Sequence, residues 1–118
     1  MEYVALIYAD ETTWEGFSDD TRTAMYEQYS EFARAAGDAG VLAGGEELGP
    51  TASATTVRLR DGRQLVTDGP YAEAKEALGG YFILDCESLD EALSWAARIP
   101  GASHGAVEVR QVHVDEEA

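Results

Sequence analysis

Lysine occurs once in this chain, at Lys75, and cysteine once, at Cys86, while histidine is confined to His104 and His113. Each scarcity excludes something. With 8 basic residues against 23 acidic ones the net charge is −15, so a nucleic-acid partner is excluded, because phosphates need a basic surface. An anionic membrane surface is disfavoured for the same reason. A lone cysteine makes no internal disulfide and points to a reducing compartment. Cys86 lies between Asp85 and Glu87, whose carboxylates oppose thiolate formation, so it reads as a buried structural thiol. No HxxH, HxH or CxxC spacing exists, and no EF-hand pattern, so no dedicated metal site is expected. Neither GxGxxG nor GxxxxGK[ST] occurs, so no nucleotide cofactor is expected. Ser53, Ser88, Ser94 and Ser103 lack a nucleophile-elbow context. No apolar run approaches a membrane span, and "MEYVALIYAD" has neither a basic start nor a small-residue cleavage site. A cytoplasmic protein without a signal peptide is expected.

What is present is core-forming material. Hydrophobic residues make up 45% of 118 positions, enough for one core and too few for two, so residues 1–118 are expected to form a single domain. "YVALIY" (3–8) is a strand rich in β formers, and "ADETTWEGFSDD" is an acidic loop whose Trp14 and Phe17 fold back on the domain. Ser18 is the N-cap of a helix with Met25, Tyr29, Phe32, Ala33 and Ala36 at helical spacing, ending near Gly37–Gly40. "VLAGG" (41–45) is a short strand. "TTVRLRDGRQLVTDG" alternates apolar and polar residues around Asp61-Gly62, a hairpin turn signal. "DGPYAEAKEALGG" reads as a turn and one or two helical turns, capped by Asp68 and stopped by Gly79-Gly80. "YFILDC" (81–86) is a central strand. Ser88 to Glu91 has capping-box spacing, and the helix it opens carries Leu89, Ala92, Leu93, Ala96 and Ile99 on one face. "GAVEVRQV" (105–112) is the last strand.

The order is α+β, βαββαβ with an inserted β-hairpin, which is the ferredoxin-like arrangement of a four-stranded antiparallel sheet with two helices on one face. Residues of "YVALIY" and "YFIL" alternate between both sheet faces, yet both sets are apolar or aromatic. The face without helices therefore needs a cover, and a second copy of the sheet, hence a homodimer, is the simplest one.

"TDGPYAEAKE", with "YVALIYADE", "AGVLAGGEELGP", "SLDEALSWAARIP" and "HGAVEVRQV" around it, resembles the DGPF branch of the YCII-related family over roughly residues 1–113. The resemblance implies a ferredoxin-like fold assembled as a dimeric α/β barrel. Some wider YCII-related proteins carry a His on the first helix and an Asp nine residues later. The resemblance places Asp38 at the acid and Tyr29 where the histidine would stand, so the His–Asp dyad does not carry over. It also implies a regulatory setting, because DGPF-type proteins are often encoded beside alternative sigma factors.

The residues leave three functions open. One is a small-molecule-binding or regulatory homodimer. In that reading Asp68, Tyr71 and Lys75 rim a pocket with Tyr29, Tyr81 and Trp14 as walls, and Lys75 meets an anionic or carbonyl-bearing ligand. The bland alternative makes Lys75 a surface ion-pair partner of Glu73 or Glu76. The second function is a cofactor-free lyase- or isomerase-like enzyme acting on a small organic substrate, with Asp38, Asp68, His104 and Tyr29 as proton-transfer groups. The third is an acidic interaction partner of a transcription regulator such as a sigma factor. In each case folding is expected to need no metal. Thermal melts with and without EDTA should coincide, and elemental analysis should find no stoichiometric transition metal.

Overall fold

The computed structural model describes residues 1–72 and 74–115. Strand β1 (Glu2–Asp10) leads into a short helix α1 (Glu11–Glu15) and the long helix α2 (Asp19–Asp38). Strand β2 (Leu42–Glu47) follows, then the hairpin strands β3 (Thr55–Arg60) and β4 (Arg63–Asp68). Strand β5 (Glu76–Asp85), helix α3 (Leu89–Ala96) and strand β6 (Ala106–Gln111) complete the order. The main sheet runs β2-β5-β1-β6, antiparallel throughout, and β3-β4 forms a separate two-stranded ribbon. With the ribbon set aside, β1-α2-β2-β5-α3-β6 is the ferredoxin-like α+β fold.

Local chemistry places the element ends. The Ser18 hydroxyl accepts the Thr21 amide at 3.1 Å, and Asp19 and Asp20 occupy the first turn of α2, where the helix dipole favours acids. Ser88 accepts the Glu91 amide at 3.1 Å, and the Glu91 carboxylate returns to the Glu87 amide. Asp61 (φ 50°) and Gly62 (φ 75°) supply the left-handed pair of the tight hairpin turn.

The core lies between the sheet and α2 and α3. Tyr3, Ala5 and Leu84 of the two central strands meet Phe32 and Ala36 of α2 and Ala92 and Ala96 of α3, with Ile99 and Cys86 closing the ends. Phe82 reaches both Phe32 (5.0 Å between ring centroids) and Tyr29 (6.4 Å). Strand alternation puts Val4, Leu6 and Tyr8 of β1 on the opposite face. They pair with Ile83, Tyr81 and Leu78 on one side and with Arg110, Glu108 and Ala106 on the other. Both sheet-covering helices lie away from that face.

Four expectations are corrected. "ETTWE" is a helix rather than loop, because the Asp10 carboxylate accepts both the amide and the hydroxyl of Thr12 (2.9 and 2.7 Å) and caps it. The helical turns expected within residues 71–78 are absent among the described residues (Glu73 lies outside them). The chain bends there and enters β5 at Glu76. Gly79-Gly80 is not a stop: it lies inside β5, at an irregularity where Ile7 pairs with Gly80 and Tyr8 with Leu78. Pairing with β1 overrides the helical preference of the alanines. On α3, Ala92 and Ala96 are buried but Leu89 and Leu93 are about half exposed, at 50% and 47%.

Gly45 is the tightest fit in β2. A methyl there would lie 2.6 Å from the Tyr81 carbonyl oxygen and 2.7 Å from Phe82 Cδ1. By contrast, Gly37 sits in α2 with nothing within 4 Å of an added Cβ. Gly45→Ala should therefore cost about 1–3 kcal/mol, the usual cost of overpacking. Gly37→Ala should be neutral or stabilising by up to about 1 kcal/mol. Urea unfolding of both variants checks the pair.

Candidate functional site

A cavity of about 660 Å³ opens on the helix side of the sheet, beyond the end of the packed core. It exists because the side chains there are small. Ala9 of β1, Ala77 and Gly80 of β5, and Gly45 of β2 contribute almost no volume. Ile7 and Phe82 form the floor. Trp14 and Phe17, from α1 and the turn after it, and Met25, Tyr26 and Tyr29 on α2 form the wall, while Gly101 and His104 close one end. The segment Glu46–Pro50 makes the remaining rim.

The aromatic wall is internally packed. Trp14 meets Phe17 and Tyr26 edge to face (6.2 and 5.4 Å), and Phe17 meets His104 (5.4 Å). Helix α1 is tied to α2 by Arg22, which donates to the Trp14 and Glu15 carbonyls at 3.2 and 2.8 Å and stands over the Trp14 ring. On the other side, the Glu11 carboxylate accepts the Thr51 amide at 3.1 Å and anchors the rim. The Tyr26 hydroxyl donates to Glu47 at 3.1 Å, joining α2 to β2 beside the cavity.

The electrostatics are one-signed. Asp10, Glu11, Glu15, Glu46 and Glu47 are among the lining residues, which include no lysine and no arginine. Asp10 is held below the usual carboxylate range, first by the Thr12 hydroxyl and amide and secondarily by Lys75. The Tyr29 hydroxyl is pushed up, chiefly by burial and further by Glu47, with the nearby Gly101 amide acting in the opposite direction. Tyr26 is pushed the same way by desolvation and by Glu47. Among the described residues no three His, Cys, Asp or Glu side chains gather as a metal site.

Of the residues singled out from the sequence, Tyr29, Tyr81, His104 and Trp14 line this cavity. Tyr81 alternates with Phe82, so its ring is directed to the open sheet face and its share of the lining is main chain. Asp68, Tyr71, Lys75 and Asp38 are not lining residues. Asp68 ends β4 opposite Thr55 and caps no helix. Tyr71 is 76% exposed beneath the Arg58 guanidinium. Lys75 reaches Asp10 at 3.9 Å, rather than Glu76, with its side chain 86% exposed; Glu73 lies outside the described residues. Asp38 is the exposed last residue of α2. Sequence reasoning misses Asp10, Tyr26 and Glu47. The Asp10-x-Thr12 spacing is a readable cap signal, whereas nothing local links Tyr26 to Glu47.

A ferredoxin-like sheet with an aromatic cavity between its first helix and its third core strand defines a small α+β protein with an internal cavity. The YCII-related domain model matches residues 1–114, and the chain belongs to that family. An uncharacterized protein of Rhizobium meliloti (strain 1021) is 39% identical over 112 residues, covering 93% of this chain and 90% of that protein. In structure the chain is similar to the 5-chloro-2-hydroxyhydroquinone dehydrochlorinase of Burkholderia phenoliruptrix AC1100, solved in complex with 2,5-dihydroxybenzoquinone. The TM-score is 0.53 at 15% identity, over 99% of this chain and 98% of that one. At that identity the likeness shows the shared fold. No helix among the described residues is long and apolar enough to cross a membrane.

The raised Tyr29 hydroxyl gives an alkaline signature. The fold favours the neutral phenol, so its folded pKa lies above an unfolded value of about 10. The stability this adds is complete below that unfolded value and is lost as pH climbs through the folded one. Wild-type stability should therefore fall more steeply above about pH 10 than that of Tyr29→Phe, with Tyr26 leaving part of the slope in the variant. Urea unfolding across that range measures it, and identical slopes would contradict the buried environment.

Proposed function

We propose that this chain is a small-molecule-binding module that works as a homodimer, with its ligand in the cavity between β5, α1 and α2. The carrying observation is a cavity of about 660 Å³ with a preassembled aromatic wall and a lining that includes five carboxylates and no lysine or arginine. Its volume falls in the range of ligand pockets, about 300–1,000 Å³. Its chemistry suits a ring-bearing, mostly apolar ligand that is neutral or cationic. Aromatic faces attract cations, and carboxylates repel anions. Lys75, exposed and already facing Asp10, does not reverse that sign. The dimer reading rests on the open sheet face, where Val4, Leu6, Tyr8 and Ile83 stand away from the helices.

A second reading, proton transfer on a small organic substrate, is favoured by one observation: Tyr29 and His104 line the same cavity. With its pKa raised, Tyr29 keeps its proton near neutrality and would serve as the acid, leaving His104 to act as base. A ring-shaped ligand in this fold has a parallel in the structural neighbour, a dehydrochlorinase solved with 2,5-dihydroxybenzoquinone.

Ligand-observed NMR screening with matched aromatic amines and aromatic carboxylates separates the classes. Amines should bind more tightly, and Trp14→Ala should weaken their binding at least about tenfold, a change of about 1.4 kcal/mol. A preference for carboxylates would refute the charge reading. Binding unaffected by Trp14→Ala would refute the cavity. Loss of catalysed substrate C–H exchange in D₂O in both Tyr29→Phe and His104→Ala would favour the second reading.

A further inference from the structure

The β3–β4 ribbon is built unlike the rest of the molecule. Eleven of its twelve strand residues are exposed, all but Thr56. The register sorts them into two faces. Val57 stands opposite Val66, with Leu59 opposite Gln64 beside them; the three aliphatics, Val57, Val66 and Leu59, are 59%, 62% and 67% exposed. The other face carries Arg58, Arg60, Arg63 and Leu65. None of these arginines makes an ion pair among the described residues; Arg58 stacks over Tyr71 and Arg60 donates to the Leu59 carbonyl. A two-stranded ribbon alone in water is marginally stable at best, so an apolar ribbon face of this kind calls for a cover.

The ribbon's own chain does not supply one. Its root is pinned, since the Gly69 amide donates to the Ala54 carbonyl at 2.7 Å and the Thr56 hydroxyl to the Gly69 carbonyl at 2.8 Å. From that root it projects. The radius of gyration is 16.4 Å and the molecule spans 50 × 47 Å but is only 18 Å thick. A compact chain of this length would have a radius of gyration of about 13.5 Å.

Charge selects the occupant. Residues 55–68 hold three arginines against two aspartates, a net +1, which leaves the rest of the chain at −16. The ribbon is thus a basic, apolar arm on an acidic body, complementary to the body of another copy. We propose that the ribbon is an exchange arm, a reading that rests on the dimer proposed above. In the dimer each copy lays its Val57–Leu59–Val66 face on the other, and the positive charge of Arg58, Arg60 and Arg63 on the outer face draws the ribbon towards the partner's acidic body. The exchange is reciprocal, as a closed two-fold assembly requires, and the charge contrast steers the encounter.

The test uses the full chain. Sedimentation equilibrium compares wild type with Val57→Ser/Leu59→Ser and with Arg58→Glu/Arg60→Glu/Arg63→Glu. Both variants should dissociate at least about tenfold more readily. The charge-reversal effect should shrink in high salt, where surface attraction is screened. A photo-cross-linker placed at Gln64 of wild type guards against variants that merely misfold. In mixed light and heavy isotope dimers, the cross-linked peptide should come from the other copy. Cross-links confined to one chain, or a dimer constant unmoved in both variants, would overturn the arm while leaving a sheet-face dimer standing. A monomeric wild type would overturn both the arm and the dimer, and leave ligand binding in the cavity to be judged by its own assay.

Discussion

Pairing of β1 with β5 is the constraint on which the rest depends. These are the two central strands, in register from Glu2–Asp85 to Asp10–Glu76. At the Glu2 end the ladder carries Tyr3, Ala5 and Leu84, and the core packs solid against α2 and α3. At the Asp10 end it carries Ala9, Ala77 and Gly80, and the same helix α2 stands over empty volume. Core and cavity are therefore one surface with its side chains present and then withdrawn. The irregularity between Ile7 and Tyr8 marks the change. A methyl on Gly80 would come within 2.9 Å of the Glu46 carbonyl, and one on Gly101 within 2.7 Å of the Tyr29 hydroxyl. The glycines thus permit close backbone approach as well as leaving room.

Much of this fold was legible because each element announces its ends chemically. Ser18 and Ser88 cap their helices, and Asp61-Gly62 turns the hairpin. Two of the failures have tertiary causes. In "YAEAKEALGG" the local preference is helical, but a central strand of ten residues was needed opposite β1, and nonlocal hydrogen bonding decided the outcome. Leu89 and Leu93 fit the helical period, yet α3 meets the sheet through its alanines, because Ala92 and Ala96 allow close approach while the leucines fall outside the contact.

The site was legible only in fragments. Trp14, Tyr29 and His104 come from three separate segments, and the sheet order β2-β5-β1-β6 is what brings those segments round one cavity. Glu47 was invisible as a site residue because acids are everywhere in a chain of charge −15, and Asp10 showed only its capping spacing with Thr12. Lys75 attracted notice for the opposite reason, being unique. Uniqueness in composition is not position: the lysine sits in the connection after the ribbon and faces the cap of α1. Asp38 lies nine residues beyond Tyr29 on one helix, but the helix carries it away from the cavity.

The double role of β5 sets how far the two proposed surfaces can influence one another. Phe82 belongs to the core and cavity face, while Tyr81 and Ile83 belong to the open face. A ligand and a second copy would thus press on opposite sides of one strand. A paired central strand is stiff, held on both sides by β1 and β2, so coupling through it requires a two-state element that the sheet itself does not offer. The ribbon root is nearer to such an element. Residues 69–75 run from the Gly69–Ala54 closure to Lys75, which faces the Asp10 cap of α1, and α1 brings Trp14 to the cavity wall. The Lys75–Asp10 contact is long, at 3.9 Å, and largely solvated on the lysine side, so it contributes little. The stronger connection is on the other side of the root: the rim segment Glu46–Pro50 runs through residues 51–53 to Ala54, and Glu11 of α1 holds the Thr51 amide at 3.1 Å, so any influence of the arm on the cavity passes through this segment rather than through the lysine.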